Sequence, residues 1–327
     1  MVTSEPKKQH YVPQFLLSNF TLGKKKRLHV FDLKSEKSFV SHVRDVGHEN
    51  NFYHHMNDGN QMEFALGSVE TDVAPVIDQI LKEETVANLT DHQRETLCYF
   101  TLVQMMRVNA VRESLTEFSQ LILDKFVGED VEPDSQADEF LKQLSSENSK
   151  ETSIDMLWET PEQLLPHLIN KHLCLVNAPK GESFLLSDNP VVKFNNLPRV
   201  GRGNLGLALK GIEVHFPISP RFCLSFICPD FVQDIRDSVE QHHLEVVMGG
   251  EPAQDLTEVL KLLNQIDQKA TKTITKENVI HHNSLQVNYC SRFLYSAKGD
   301  FELVKKMLQD TPELAHKTRV QDGSKVF

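Results

Sequence analysis

Seven residues of this chain, His10, Gln14, Glu70, Arg107, Ser187, Asp188 and Asn189, are of the types that phosphoryl chemistry uses. They comprise an imidazole for proton transfer, two carboxylates, a cation, and amide and hydroxyl hydrogen-bonding groups. Brought together, Glu70 and Asp188 with His10 would hold a divalent Mg or Mn ion, and Arg107 would stabilise charge on a phosphoryl group. The reaction would then be metal-assisted hydrolysis of a phosphodiester bond in nucleic acid or a nucleotide. The competing reading is a non-enzymatic ligand- or partner-binding module. In that reading the same polar set is structural and fixes how the N-terminal segment docks.

Arg107 carries most of the argument. Between Leu97 and Val111 the sequence is apolar on nearly every face of a helix, so an arginine there must be paired or must face a cavity. Arg112 lies about 140° further round, which lets one arginine point inward while the other reaches solvent. The carboxylates available by type are Glu63, Glu70 and Asp188. Glu63 and Glu70 are two turns apart on one helix face. Asp188 sits in Ser187-Asp188-Asn189-Pro190, where an apolar strand run ends in three polar side chains. That is a common place for a site, and it is also the chemistry of an Asx-turn.

Stronger signatures are missing. The chain has no phosphate-binding Gly-x-x-x-x-Gly-Lys loop, no Gly-x-Ser-x-Gly, no His-Glu-x-x-His and no Cys-x-x-Cys. Gly201-Arg202-Gly203-Asn204-Leu205-Gly206 fits Gly-x-Gly-x-x-Gly, but it follows no clean strand and precedes no good helix, so it reads as a mobile loop. The doublets His54-His55, His242-His243 and His281-His282 read as solvated loops or a pH-sensitive surface, because adjacent side chains point in different directions. The basic strip Lys24-Lys25-Lys26-Arg27 reads as a solvated turn, and is the local patch through which nucleic acid would bind.

The elements that must position these residues follow from pattern. Val12-Pro13 starts a short helix, with His10 and Tyr11 on its extended lead-in. Leu28 to Leu33 and Phe39 to Val46 form a hairpin, followed by a loop at Gly47 to Asn51. Glu63 to Glu83 has helical spacing with Pro75 inside it. Thr90-Asp91-His92-Gln93 is a capping box that opens the central enclosed helix, running to about Phe126. The acidic, Ser-rich segment Val131 to Lys150 predicts a mobile, partly helical excursion, and Thr160-Pro161-Glu162 predicts a new helix start. Short apolar runs at His172 to Val176, Phe184 to Leu186, Val191 to Phe194, Ile212 to Phe216 and Phe222 to Cys228 are strand signals. Helices over Asp255 to Lys269 and about Lys276 to Tyr289, then a strand at Phe293 to Tyr295, complete the reading. The fold class is α+β, with a helical first half around a central buried helix and an antiparallel sheet in the second half.

Composition sets the frame. The 327 residues are 39% hydrophobic and carry a net charge of −11, which argues against a surface that grips nucleic acid throughout. Five scattered cysteines, mostly within apolar runs, read as buried residues of a reducing compartment. With a polar N-terminus and no apolar run of membrane-spanning length, the expectation is a soluble, cytoplasmic protein with no membrane partner.

The opening His10-Tyr11-Val12-Pro13-Gln14-Phe15, a glutamate on the second helix, Arg107 and Arg112, Ser187-Asp188-Asn189-Pro190, Phe216-Pro217-Ile218-Ser219-Pro220 and the closing Asn283 to Ser296 spread over most of the chain. In these motifs the chain resembles the bacterial and fungal family called domain of unknown function 4238. The resemblance implies membership of an uncharacterised family and brings no reaction with it. Ser296 to Leu308, with Asp322-Gly323 beyond, also looks like the opening of a single ankyrin repeat. One unit cannot bury its own apolar face, so an amphipathic helix docking on the domain is the plainer reading. The expected organisation is one α+β domain over 1–296 and a tail over 297–327.

Overall fold

Strands from the two ends of the chain meet in one sheet. The structure is a computed structural model and describes residues 8–55, 59–126, 135–144, 146–197, 205–249 and 255–320. In chain order β1 (Lys8–His10) leads into the short helix α1 (Gln14–Ser18), and β2 (Arg27–Asp32) with β3 (Lys37–His42) forms the expected hairpin. β4 (His48–Asn50) falls in the segment read as a loop and pairs antiparallel with β1. The helices α2 (Gln61–Glu83), α3 (Asp91–Met106), α4 (Asn109–Phe126), α5 (Gln136–Gln143) and α6 (Ser146–Ile169) follow. Next come β5 (His172–Asn177), β6 (Leu186–Ser187), β7 (Val192–Asn195), β8 (Ile212–Pro217) and β9 (Phe222–Ile227). The chain then runs through α7 (Pro229–Val247), α8 (Thr257–Asp267), β10 (Lys272–Thr273), α9 (Lys276–Tyr289), β11 (Phe293–Ser296) and α10 (Glu302–Asp310).

The mixture of helix and sheet agrees with the α+β class. Within it, β11 pairs antiparallel with both β2 and β6, giving the order β3-β2-β11-β6 and joining the first hairpin to the second half. The larger sheet has the order β10-β5-β9-β8-β7 and is antiparallel except where β10 runs parallel to β5. Its two faces separate by the alternation of a strand. Leu173, Leu175, Leu224, Phe226, Val214 and Phe216 enter the main core with Phe100, Leu97 and Phe20. Cys174, Ser225, Glu213 and His215 take the opposite face.

Besides β4, three further expectations are corrected. The helix opened by Thr90 has its capping box as read, but it breaks at Arg107–Val108 instead of running on to Phe126. There the Arg107 carbonyl accepts from Tyr53 Oη at 3.0 Å, a tertiary partner in place of a helical one. Thr160-Pro161 starts no helix, because α6 passes through both Pro161 and Pro166. Packing of α6 against α3 and α4 sustains it where an isolated helix would end. Pro229–Val247 is helical although no helix was expected there. Of the acidic excursion, residues 131–134 and 145 lie outside the described residues, as do Gly201 to Asn204 and Asp322-Gly323.

The tail reads as a docked helix. Phe301, Val304 and Leu308 are buried against Phe31, Leu33, Val287 and Leu294. After α10 the chain makes a 3-10 turn at Pro312–His316, so an ankyrin-like helix pair finds no support among the described residues. No helix of the described residues is long and apolar enough to cross a membrane.

Candidate functional site

The seven residues singled out by type sort into two separate arrangements. In the first, the Arg107 guanidinium is buried and lies 2.8 Å from Glu70 Oε1, 3.2 Å from Tyr53 Oη and 2.5 Å from the His10 carbonyl. Burial works against this charge, but Tyr53 and Glu70 outweigh it and hold the guanidinium protonated. Gln9 reinforces the same docking, accepting from Tyr53 N–H at 2.6 Å and donating to Asn60 at 3.0 Å. His10 keeps its ring beside that of His48, at 5.1 Å, and Gln14 Nε2 lies 3.5 Å from His10 Nδ1. Burial and the neighbouring His48 depress the His10 imidazole to about 4, so it is neutral at pH 7.

In the second arrangement the Asp188 carboxylate accepts three backbone N–H groups, from Ser291 at 2.7 Å, Arg292 at 2.7 Å and Phe293 at 2.8 Å. Ser187 Oγ donates to Gln286 Oε1 at 2.7 Å and accepts from Asn189 N–H at 3.2 Å, while Asn189 Nδ2 donates to the Tyr289 carbonyl at 3.0 Å. The turn therefore clasps the end of α9 and the start of β11. Burial, with the Asp188 charge adding to it, pushes the Tyr11 phenol up.

Among the described residues no hydrogen bond or ion pair joins the Arg107 arrangement to the Asp188 arrangement. The donor set also does not suit a metal. Both Asp188 oxygens are engaged by backbone N–H groups, Glu70 faces a guanidinium, and among the described residues no three His, Cys, Asp or Glu side chains converge as ligands. Lys24, Lys25, Lys26 and Arg27 are exposed on a turn leading into β2.

The concentration of polar groups around open space lies elsewhere, on the outward face of the five-stranded sheet beneath α7, α8 and α9. There a cavity of about 440 Å³ is lined by Glu213, His215, Ser225, His281 and His282, with apolar walls that include Phe194 and Ile266. Register explains the convergence. His215 on β8 and Cys174 on β5 both lie directly opposite Ser225 on β9, and Glu213 precedes His215 by two residues on the same face. His215 Nδ1 is 3.0 Å from Ser225 Oγ, and its Nε2 is 3.2 Å from Glu213 Oε2. A carboxylate accepts and cannot donate, so in a neutral His215 ring Nε2 carries the proton toward Glu213 and Nδ1 accepts from the Ser225 hydroxyl.

Two histidines of α9 complete the wall. The His282 ring is 4.3 Å from that of His215, and the His281 ring is 4.7 Å from that of Phe194. Burial, with His215 and His281 adding to it, pushes His282 down to about 2, and His281 is lowered chiefly by burial. The doublet read as solvated or pH-sensitive surface is thus corrected for this pair, since His282 is buried and both rings line one cavity. Adjacent helical residues do point apart, but this cavity wraps the helix far enough to meet both. Sequence reasoning also missed Glu213, His215 and Ser225. The available signal was period-2 alternation inside the runs Ile212 to Phe216 and Phe222 to Cys228, where polar residues share the face turned from the apolar ones.

The profile of the family described as Protein of unknown function (DUF4238) matches residues 8–300. No curated protein and no solved structure matches the chain.

Proposed function

We propose that this chain, which belongs to the DUF4238 family, is a small-molecule-binding protein whose ligand occupies the cavity between the five-stranded sheet and α7 to α9. The observation that carries this reading is a row of polar side chains, Glu213, His215 and Ser225, on a sheet face that helices cover. An apolar row would fill that face at less desolvation cost, and departures from local rules concentrate at functional sites. The volume falls in the ~300–1,000 Å³ range of ligand pockets, and apolar walls with a few placed polar groups are their usual lining. Imidazoles, a serine and the amides of Asn196, Gln265 and Asn278 beside aromatic rings suit a planar heteroaromatic compound with donors and acceptors along its edge.

The metal-assisted phosphodiester hydrolase needs Glu70 and Asp188 as ligands in one place. Their engagement by Arg107 and by the backbone at Ser291 to Phe293 favours the binding reading. The test is a thermal-shift series with purine and pyrimidine bases and nucleosides on the wild type and on Ser225→Val. Stabilisation of the wild type that Ser225→Val loses supports the proposal. Equal responses, or none in either protein, would sink it.

One observation favours a second reading, turnover of the bound molecule. A hydroxyl, a base and an orienting carboxylate within hydrogen-bond reach form the signature of an activated nucleophile. A serine-directed fluorophosphonate that labels the wild type and spares Ser225→Ala and His215→Gln would mark an enzyme. No labelling of the wild type leaves binding alone.

A further inference from the structure

A second recess lies on the opposite face of the edge strand β7. It has a volume of about 710 Å³ and is walled by Met105, Met106, Met156, Leu115 and Phe118 from α3, α4 and α6. Lys193 lines it as well. Its register partner is Val214, whose side chain belongs to the main core, so the lysine leaves the sheet on the core side and not toward the histidine cavity. Lys193 is mostly shielded from water, and among the described residues its ammonium has no hydrogen-bond acceptor and no carboxylate partner. Burial alone lowers its proton affinity. The other cations of the groove are occupied: Lys317 donates to the Cys290 carbonyl at 2.9 Å, and Arg319 pairs with Glu113 at 2.6 Å.

A shielded, unpartnered ammonium is costly, and the groove gives it apolar neighbours in place of an anion. Three methionines make the wall adaptable, as on surfaces that accept flexible hydrocarbon. We propose that this groove binds an amphipathic carboxylate, with its hydrocarbon chain against the methionines, Leu115 and Phe118 and its carboxylate on Lys193 Nζ. Charge complementarity selects this occupant, because a neutral amphiphile fills the same walls and leaves the ammonium unpaired. The site is separate from the histidine cavity, and its test is independent of that reading.

The experiment uses the full chain with dansyl-undecanoate as a fluorescent probe, competed with dodecanoate or with 1-dodecanol, which has the same chain length. The expected result is that the wild type binds the probe and that dodecanoate competes at least ~10-fold better than the alcohol, the return for one charge-assisted contact of about 1.4 kcal/mol. Lys193→Met should bind the probe and lose that preference, with an unchanged far-UV spectrum. Phe118→Glu changes a half-exposed position, so it should fold and lose dodecanoate binding by placing a like charge in the groove. Failure of the wild type to bind the probe, equal competition by alcohol and acid, or a preserved preference in Lys193→Met would each overturn the proposal. Those results would mark Lys193 as a snorkelling side chain whose ammonium is served by water.

Discussion

Arg107 and Glu70 meet at 2.8 Å, yet the guanidinium side chain is 1% exposed and the carboxylate side chain 27% exposed. This asymmetry predicts unequal single substitutions. Glu70→Ala leaves a buried charge short of its anion and should cost ~3–5 kcal/mol. Adding Arg107→Met to Glu70→Ala removes that charge and should recover part of the loss, a non-additivity readable in a double-mutant cycle by urea unfolding. Mg or Mn should move none of these midpoints. A metal-dependent midpoint in the wild type that Glu70→Ala loses would return Glu70 to the role of a ligand.

Asp188 is the second test of structure against chemistry. Its carboxylate satisfies the three N–H groups of Ser291, Arg292 and Phe293, where α9 gives way to β11. Asp188→Ala strands these donors at about 1–3 kcal/mol each, so a total loss of at least ~3 kcal/mol is expected. Asp188→Asn keeps one carbonyl oxygen and should fall between the two. Denaturant unfolding reads both, and a variant as stable as the wild type would show that the three contacts carry no weight.

How much of this was legible follows from which forces act locally. The capping box of Thr90, the hairpin β2–β3 and helix α9 were readable because caps, turns and periodicity operate within a few residues. The run of α6 through Pro161 and the break at Arg107 were not, because each depends on a partner distant in sequence: α3 and α4 in one case, Tyr53 in the other. The candidate residues divide in the same way. Arg107 announced itself as a charge in an apolar helix, and Glu70, one of the carboxylates named for it, is its partner. Ser225 and His215 are ten residues apart in apolar runs, and only the register of β8 on β9 shows that they touch.

Acid should weaken the fold through His10 and His282. Their folded values, about 4 and about 2, lie below the ordinary 6.5, so between those limits the unfolded chain binds more protons than the native one. The stability from these neutral imidazoles is fully present above pH 6.5 and declines as pH falls. The His10 share stops changing below about 4, and that of His282 continues to about 2. For His282 the slope should approach ~1.4 kcal/mol per pH unit at most. Unfolding free energies of the wild type and His282→Gln between pH 7 and 4 should converge as pH falls. Parallel curves would remove His282 from the account.

The tail should behave as part of the fold. Leu308 and Val304 of α10 sit among Phe31, Leu33, Val287 and Leu294, so Leu308→Ala opens a cavity beneath the helix and should cost ~2–5 kcal/mol. Gly299 makes the turn into this helix with φ +72°, and a Cβ there would lie 2.8 Å from the His29 ring on β2. Gly299→Ala therefore combines backbone strain with a collision and should lift the tail locally. Hydrogen exchange separates the two effects. Leu308→Ala should lower the stability of the whole unit, whereas Gly299→Ala should raise exchange first in α10 and in β2. If α10 exchanges freely in the wild type while β2 and β11 stay protected, the helix is an appendage and its buried residues contribute little to the fold.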